Sequence, residues 1–315
     1  MPCRCAFTCP VERHSLNSLV MAAVPEAAID IALAPFDVLA PRAASSPFVF
    51  ASPHSGSDYP DDLLAASRLD PHSLRKSEDS FVDELFGDAP ARGAPLIRAN
   101  FPRAYLDVNR EAWELDPTMF EDDLPDYVNT RSYRVAGGLG TIARVVSSGA
   151  EIYGGKLRFS EAVRRVNDLY LPYHRALADL LESTRNKFKH AVLIDCHSMP
   201  SVGGPMDKDS GHERAEIVLG DRYGTSCFSA LTDKAEEILS SQGYAVSRNT
   251  PYAGGYITRH YGRPADGVHA LQIEINRALY MDEAKIRRLP RMQTVKSHMT
   301  DLIESLCALE VAEIS

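Results

Sequence analysis

Ala191-Val192-Leu193-Ile194-Asp195-Cys196-His197-Ser198 is the stretch that decides the fold. Its opening aliphatic run is apolar at every position, with no alternation. A short run of that kind reads as a central strand buried on both faces. Pro47-Phe48-Val49-Phe50-Ala51-Ser52 reads the same way and is ended by Pro53. A histidine follows each run, His197 after the first and His54 after the second, and each stands beside a serine. Ligands of open α/β sheets bind in the crevice beyond the carboxyl ends of the strands. Two histidines delivered there can meet.

Working outward, Ala215–Leu219 and Leu271–Ile275 read as further strands, and Leu96–Asp107 as a strand or strand pair broken by Pro102. An amphipathic helix is expected over residues 74–87, with Leu74, Phe81, Val82, Leu85 and Phe86 on one face. Ser160 reads as the N-cap of a long helix running to about Lys187, kinked at Pro172. Further helices are expected near 228–241 and 282–310. Residues 111–135, rich in Asp, Pro, Tyr and Asn, read as a long functional loop. Strands alternating with helices predict an α/β fold: one domain, with a mixed, mostly parallel central sheet flanked by helices. The domain is expected over 46–312. Residues 1–45 read as an N-terminal extension, partly disordered, whose first twenty residues stand outside the protein's fold.

The 315 residues, 44% hydrophobic and 24% charged, are an ordinary globular composition. A net charge of -9 with dispersed basic residues argues against nucleic acid or an anionic membrane as partner, while leaving room for a small anionic substrate. No apolar run reaches the roughly 18 residues of a membrane helix. Cys3, Cys5 and Cys9 crowd the N-terminus without a second cluster at zinc-finger spacing, so they read as incidental. The isolated Cys196, Cys227 and Cys307 fit a reducing, cytoplasmic setting. Oligomeric state has no signature in the sequence.

A catalytic zinc takes three protein ligands from His, Asp, Glu or Cys and keeps a fourth position for water. His54 and His197 supply two. Asp79 and Asp83 are candidates for the third. They sit four apart, a spacing that puts both on one face of a helix. Asp79 is the expected ligand because it lies nearer the helix start, and Asp83 either binds directly or supports a ligand. In Leu271-Gln272-Ile273-Glu274-Ile275, alternation places Gln272, Glu274 and Asn276 on one face. A charged group inside a strand is costly without a partner or a task.

Seven stretches in chain order carry a family resemblance: Ser52-Pro-His-Ser-Gly56, Ser77-Glu-Asp-Ser-Phe-Val-Asp-Glu-Leu85, Arg103-Ala-Tyr-Leu-Asp-Val-Asn-Arg110, Gly138-Leu-Gly-Thr-Ile-Ala-Arg144, Asp195-Cys-His-Ser198, Asn249-Thr-Pro-Tyr-Ala-Gly-Gly255 and Leu271-Gln-Ile-Glu-Ile-Asn-Arg277. Together they resemble the N-formylglutamate amidohydrolases, relatives of the zinc carboxypeptidases and aspartoacylases. The resemblance covers about Phe48 to Asp282. It implies a metal-dependent amide hydrolase on a zinc carboxypeptidase-like (phosphorylase/hydrolase-like) sheet, with His54 and His197 binding Zn2+ or another divalent metal. Zinc carboxypeptidases carry His-x-x-Glu, and position 57 here is serine, so the carboxylate ligand must come from elsewhere.

The same resemblance makes Glu274 the catalytic base, since related carboxypeptidases use a glutamate in such a strand. It also makes Asn109-Arg110 the pair that holds the substrate's carboxylate. Guanidinium suits that work because its planar fork grips a carboxylate at two points. Arg103 and Arg144 are further candidates, and Arg277 reads instead as an anchor for local acids. The glycines of Asn249–Gly255 read as a loop that closes over substrate, with Tyr252 or Tyr256 reaching inward. His260 and His269 are possible proton donors. The implied reaction is cleavage of N-formyl-L-glutamate to formate and L-glutamate, in histidine degradation, or of another N-acyl amino acid or short peptide amide.

Competing readings are poorly supported. Gly138-Leu-Gly140-Thr-Ile-Ala143 matches a dinucleotide fingerprint but lacks a buried strand before it. No G-x-S-x-G elbow marks a serine hydrolase. A non-catalytic α/β binding protein would have little use for His54, His197, Asp79 and Glu274 together.

Overall fold

The computed structural model describes residues 34–205 and 207–309. The N-terminal cysteines and the proposed leader over residues 1–20 lie outside them. Seven strands form one sheet: β1 (Phe36–Leu39), β2 (Phe48–Ser52), β3 (Leu96–Ala99), β4 (Ala191–Met199), β5 (Ile217–Gly220), β6 (Val246–Arg248) and β7 (Val268–Asn276). Their order is β1-β3-β2-β4-β7-β5-β6. β3, β2, β4 and β7 run parallel, β1 is antiparallel to β3, and the parallel pair β5-β6 is antiparallel to β7. The mixed, mostly parallel α/β fold is as expected, and β4 sits at its centre.

Helices cover both faces. Val49, Ala51, Ile97, Leu193 and Ala270 pack on one side with Val166, Tyr173 and Leu177 of the long helical segment. Phe50, Leu96, Ile194, Ile273 and Ile275 pack on the other against Leu231 and Leu239 of Ser229–Ser241 and Met299 and Leu302 of Met292–Cys307. Being covered twice is why β4 and β7 are buried at every position. Among the described residues no helix is long and apolar enough to cross a membrane.

Several expectations need correction. The sheet begins before residue 46: β1 pairs with β3 from within the segment read as an extension. Its partly exposed Phe-Asp-Val-Leu edge gave no continuous apolar run. β3 stops at Ala99, and the chain to Asp107 winds through turns. The helix expected over 74–87 is broken into Pro71–Leu74, a 3-10 turn at Arg75–Ser77 and Val82–Leu85. Phe81, just before Val82–Leu85, takes left-handed backbone, φ 69°.

Ser160 is not a cap. The helix Phe159–Arg165 is capped at Arg158, and the Asp122 carboxylate accepts the Phe159 N–H at 2.7 Å. Pro172 falls in the first turn of the helix Leu171–Phe188, directly after a π-helical segment, Val166–Tyr170. The 111–135 region is mostly irregular, with short turns at Pro117–Met119 and Tyr133–Ala136.

His174 ties this long segment to the site. It is buried, with Nε2 2.9 Å from the Val108 carbonyl and Nδ1 2.8 Å from the Tyr261 hydroxyl. Burial pushes its pKa from 6.5 down to about 3. A histidine depressed in the folded state is protonated preferentially when unfolded, so stability falls as pH drops below the unfolded value. Between pH 7 and 5 this group alone is expected to remove about 2 kcal/mol of unfolding free energy. Urea melts of the parent and His174→Gln check it. The variant, less stable at pH 7, should show a shallower loss between pH 7 and 5; parallel losses would refute the assignment.

Candidate metal centre

Strand parity builds the site. On one face of β4 and β7, Ala191, Leu193, Val268 and Ala270 enter the core, and the same face then turns polar with Asp195, His197, Gln272, Glu274 and Asn276. His197 lies inside β4, two residues short of its end, rather than beyond it. Glu274 is its register partner on β7. His54 follows β2 and is buried.

The third member arrives through the broken helix. The Asp79 backbone N–H donates to the His54 carbonyl at 3.0 Å, which pins the turn to the end of β2. Glu78 holds the turn from behind, accepting from Tyr59, Arg75 and Ser80. His54, Asp79 and His197 therefore present three ligand atoms, all within 4.8 Å of one another and all buried. Asp79 Oδ2 lies 2.9 Å from His197 Nδ1 and 3.4 Å from His54 Nδ1.

Each outer ring nitrogen meets a carboxylate. His54 Nε2 is 2.7 Å from Asp107 Oδ1, and His197 Nε2 is 3.0 Å from Asp195 Oδ1. Carboxylates in this position restrain ring orientation, and the Nδ1 of each ring is turned toward Asp79 Oδ2. Sequence reasoning missed both. Asp195 was visible as the residue two before His197 on the same strand face; Asp107 makes its contact 53 positions away and had no local signal.

Arginines neutralise the acids. Arg277 Nη2 donates to Asp79 Oδ1 at 3.0 Å, as its reading as an acid anchor anticipated. Arg103 Nη2 donates to Asp107 Oδ2 at 2.7 Å, and its Nη1 is 3.9 Å from Asp79 Oδ1. Burial opposes ionisation of Asp79, yet the hydrogen bond to His197 and the nearness of His54 hold its carboxyl well below the usual range. Burial likewise opposes Asp107, and Arg103, Arg110 and His54 keep it well below. For His197, burial is outweighed by Asp195 and Asp79, which push it well up. A cation at Nδ1 competes with that proton.

The other expected residues divide. Asn109 is in the cluster: Nδ2 lies 3.2 Å from His197 Nε2, and Oδ1 accepts the Ile257 N–H at 2.7 Å. Arg110 is buried beside it and donates to the Leu139 and Asn109 carbonyls, with Nη2 3.5 Å from Asp107. Asp83 is not brought in. It does not share a helix face with Asp79, and it pairs at 2.8 Å with Arg98, which projects from the Leu96 side of the sheet. Arg144 pairs with Asp116 and Glu151, neither a member of the cluster.

His269 is on the opposite face of β7 from Glu274, packed on Phe228, and His260 stacks on Tyr256. Neither touches the cluster. Of the two tyrosines, Tyr252 lies toward Glu274, whose charge adds to burial in pushing its phenol well up. The Gly138–Ala143 match to a dinucleotide loop fails, because a short helix, Tyr133–Ala136, precedes it in place of a strand.

The donor set fits a divalent cation of borderline softness. Two imidazoles and one carboxylate converge, and His54 Nδ1 is fully buried with no hydrogen-bond partner among the described residues. An orphaned buried nitrogen aimed at a carboxylate is costly unless a further ligand satisfies it.

The sequence model for N-formylglutamate amidohydrolase matches residues 46–281. The chain belongs to the N-formylglutamate amidohydrolase family. A crystal structure of an N-formylglutamate amidohydrolase from Ralstonia eutropha JMP134 superposes with TM-score 0.80 at 36% identity, covering 87% of this chain and 98% of that one. An N-formylglutamate deformylase of Pseudomonas aeruginosa is 28% identical over 278 residues, 86% of this chain and 97% of the relative. One of Pseudomonas putida is 28% identical over 243 residues, 76% and 83% respectively. Like these relatives the chain is a hydrolase of linear amides. A gene product of Agrobacterium tumefaciens at 19% identity, TM-score 0.56, shares the fold.

Proposed function

We propose that the chain cleaves N-formyl-L-glutamate to formate and L-glutamate, using Zn2+ held by His54, Asp79 and His197, with residues 46–312 and the edge strand β1 as the catalytic domain. The observation that carries this reading is the convergence of two Nδ1 atoms and one carboxylate oxygen beside the buried Glu274. Zinc bound there supplies Lewis acidity at the amide carbonyl and acidifies the attacking water.

Glu274 takes the proton of that water as its oxygen joins the formyl carbon. It then returns the proton to the leaving nitrogen as the C–N bond breaks, so water is divided between formate and the freed amine. Gln272 Nε2 donates to Glu274 Oε1 at 2.8 Å, leaving Oε2 to face the reaction. Arg103, partly exposed beside Asp79, and the Asn109–Arg110 pair hold the substrate carboxylates in this reading. Arg144 is at most a rim contact. A cytoplasmic setting within histidine degradation suits the free thiols of Cys196, Cys227 and Cys307.

Burial pushes Glu274 from 4.5 up to about 7, against the pull of His197, while Asp79 adds to the rise. A cation beside it draws the value back down. Because the base must be ionised, kcat/KM is expected to fall on the acid side, with a limb between about 4.5 and about 7 that Glu274→Gln removes. A pH–rate profile flat across that range would contradict the assignment.

The decisive assay is formate release from N-formyl-L-glutamate by the purified protein. Release supports the reading, and none under conditions that load the metal refutes the substrate. Turnover of a different N-acyl amino acid in the same screen keeps the reaction and changes the substrate.

A further inference from the structure

We infer that Gln272 is a positioning residue for Glu274, and that the segment Gly255–Thr258 sets the base and His197 together through it. The inference rests on Glu274 as the base. The Gln272 carbonyl oxygen accepts the Gly255 N–H at 2.7 Å, and the Thr258 hydroxyl lies 3.4 Å from it. With that oxygen committed to the Gly255 N–H, the Gln272 NH2 points the other way and donates to Glu274 Oε1. Gln272 is itself buried.

The same segment reaches the histidine side. Thr258 Oγ1 donates to Asp195 Oδ2 at 3.2 Å, and Asp195 Oδ1 backs His197. The Ile257 N–H donates to Asn109 Oδ1, whose amide nitrogen lies against His197. Gly255 is required here by close approach, because a Cβ would run into the Asn109 amide. Gly255, Ile257 and Thr258, at the start of the helix Tyr256–Tyr261, thus hold Gln272, Asn109 and Asp195 respectively. A shift of this segment moves the base and the histidine as one unit.

The test is a double-mutant cycle on the metal-loaded protein. Gln272→Met keeps the side-chain length and removes both polar atoms. It is expected to lower kcat by roughly 10- to 100-fold, the usual cost of losing such support, with KM and bound metal per chain unchanged. In a Glu274→Gln background the same change is expected to cost less than about two-fold, because its effect passes through Glu274. A parent-like kcat in Gln272→Met, or the same fold-loss in both backgrounds, overturns the inference.

If Gln272→Met is insoluble, Gln272→Glu decides. It keeps the oxygen that accepts from Gly255 and replaces the donor to Glu274 with an acceptor. A kcat within about two-fold of the parent at pH 8 overturns the inference, and a ten-fold or larger loss supports it. Should Glu274→Gln alone retain full turnover, the base assignment fails. If Glu274→Gln is inactive and Gln272→Met is not impaired, only the positioning role fails.

Discussion

Replacing His197 by alanine is expected to leave a protein that neither retains metal nor turns over substrate above background. His197 gives one of three ligand atoms, and two ligands do not make a catalytic zinc site. Lewis-acid stabilisation is worth several kcal/mol at the transition state, so the fall in kcat/KM should reach roughly 10³-fold or more. The change also strands charge. Asp79 and Asp195, both buried, lose the imidazole between them, and breaking one partner of a buried pair costs about 3–5 kcal/mol. Arg277 still neutralises Asp79, which limits the damage.

Metal analysis with a thermal melt separates loss of ligand from loss of fold. Asp83→Asn is the control: its partner is Arg98, and it should carry the parent's metal load. An Asp83 variant that loses metal while His197→Ala keeps it would invert the ligand assignment.

The second large effect is expected of Glu274→Gln. The amide keeps the size and hydrogen-bonding reach of the carboxylate but cannot accept the proton of water. Bound metal should therefore remain at the parent's level while kcat drops about 10²- to 10⁴-fold, the range of general-base contributions. KM should change little, because Arg103, Arg110 and Asn109 are left in place. Steady-state kinetics beside metal analysis read both quantities, and an unchanged kcat removes Glu274 from the mechanism.

Much of this was legible where local sequence and tertiary environment agree. β2, β4 and β7 announced themselves because strands covered on both faces need apolar residues at nearly every position, and among the polar exceptions Asp195, His197, Gln272 and Glu274 gather at the candidate site. Asp79 does lie with the two histidines, but not for the reason the sequence suggested. The helix expected to carry it beside Asp83 is broken, and Asp79 reaches His54 through a backbone bond and a left-handed Phe81. That geometry is held by Glu78 and Arg75 beside it and by the distant Tyr59 and Tyr280, contacts that no periodicity records. Asp107 was hidden for the same reason. Asp122 rather than Ser160 serves the helix start, because a loop carboxylate 37 residues upstream can reach an N-terminal N–H as well as a local serine can.

Amide hydrolysis driven by a metal at His54, Asp79 and His197 is the proposed chemistry. Its most direct test is formate release from N-formyl-L-glutamate by chelator-stripped protein titrated with Zn2+. Turnover is predicted to be absent at the start and to rise linearly to a plateau at about one ion per chain, the stoichiometry of a single three-ligand site. Full turnover by protein shown to contain no metal would contradict it.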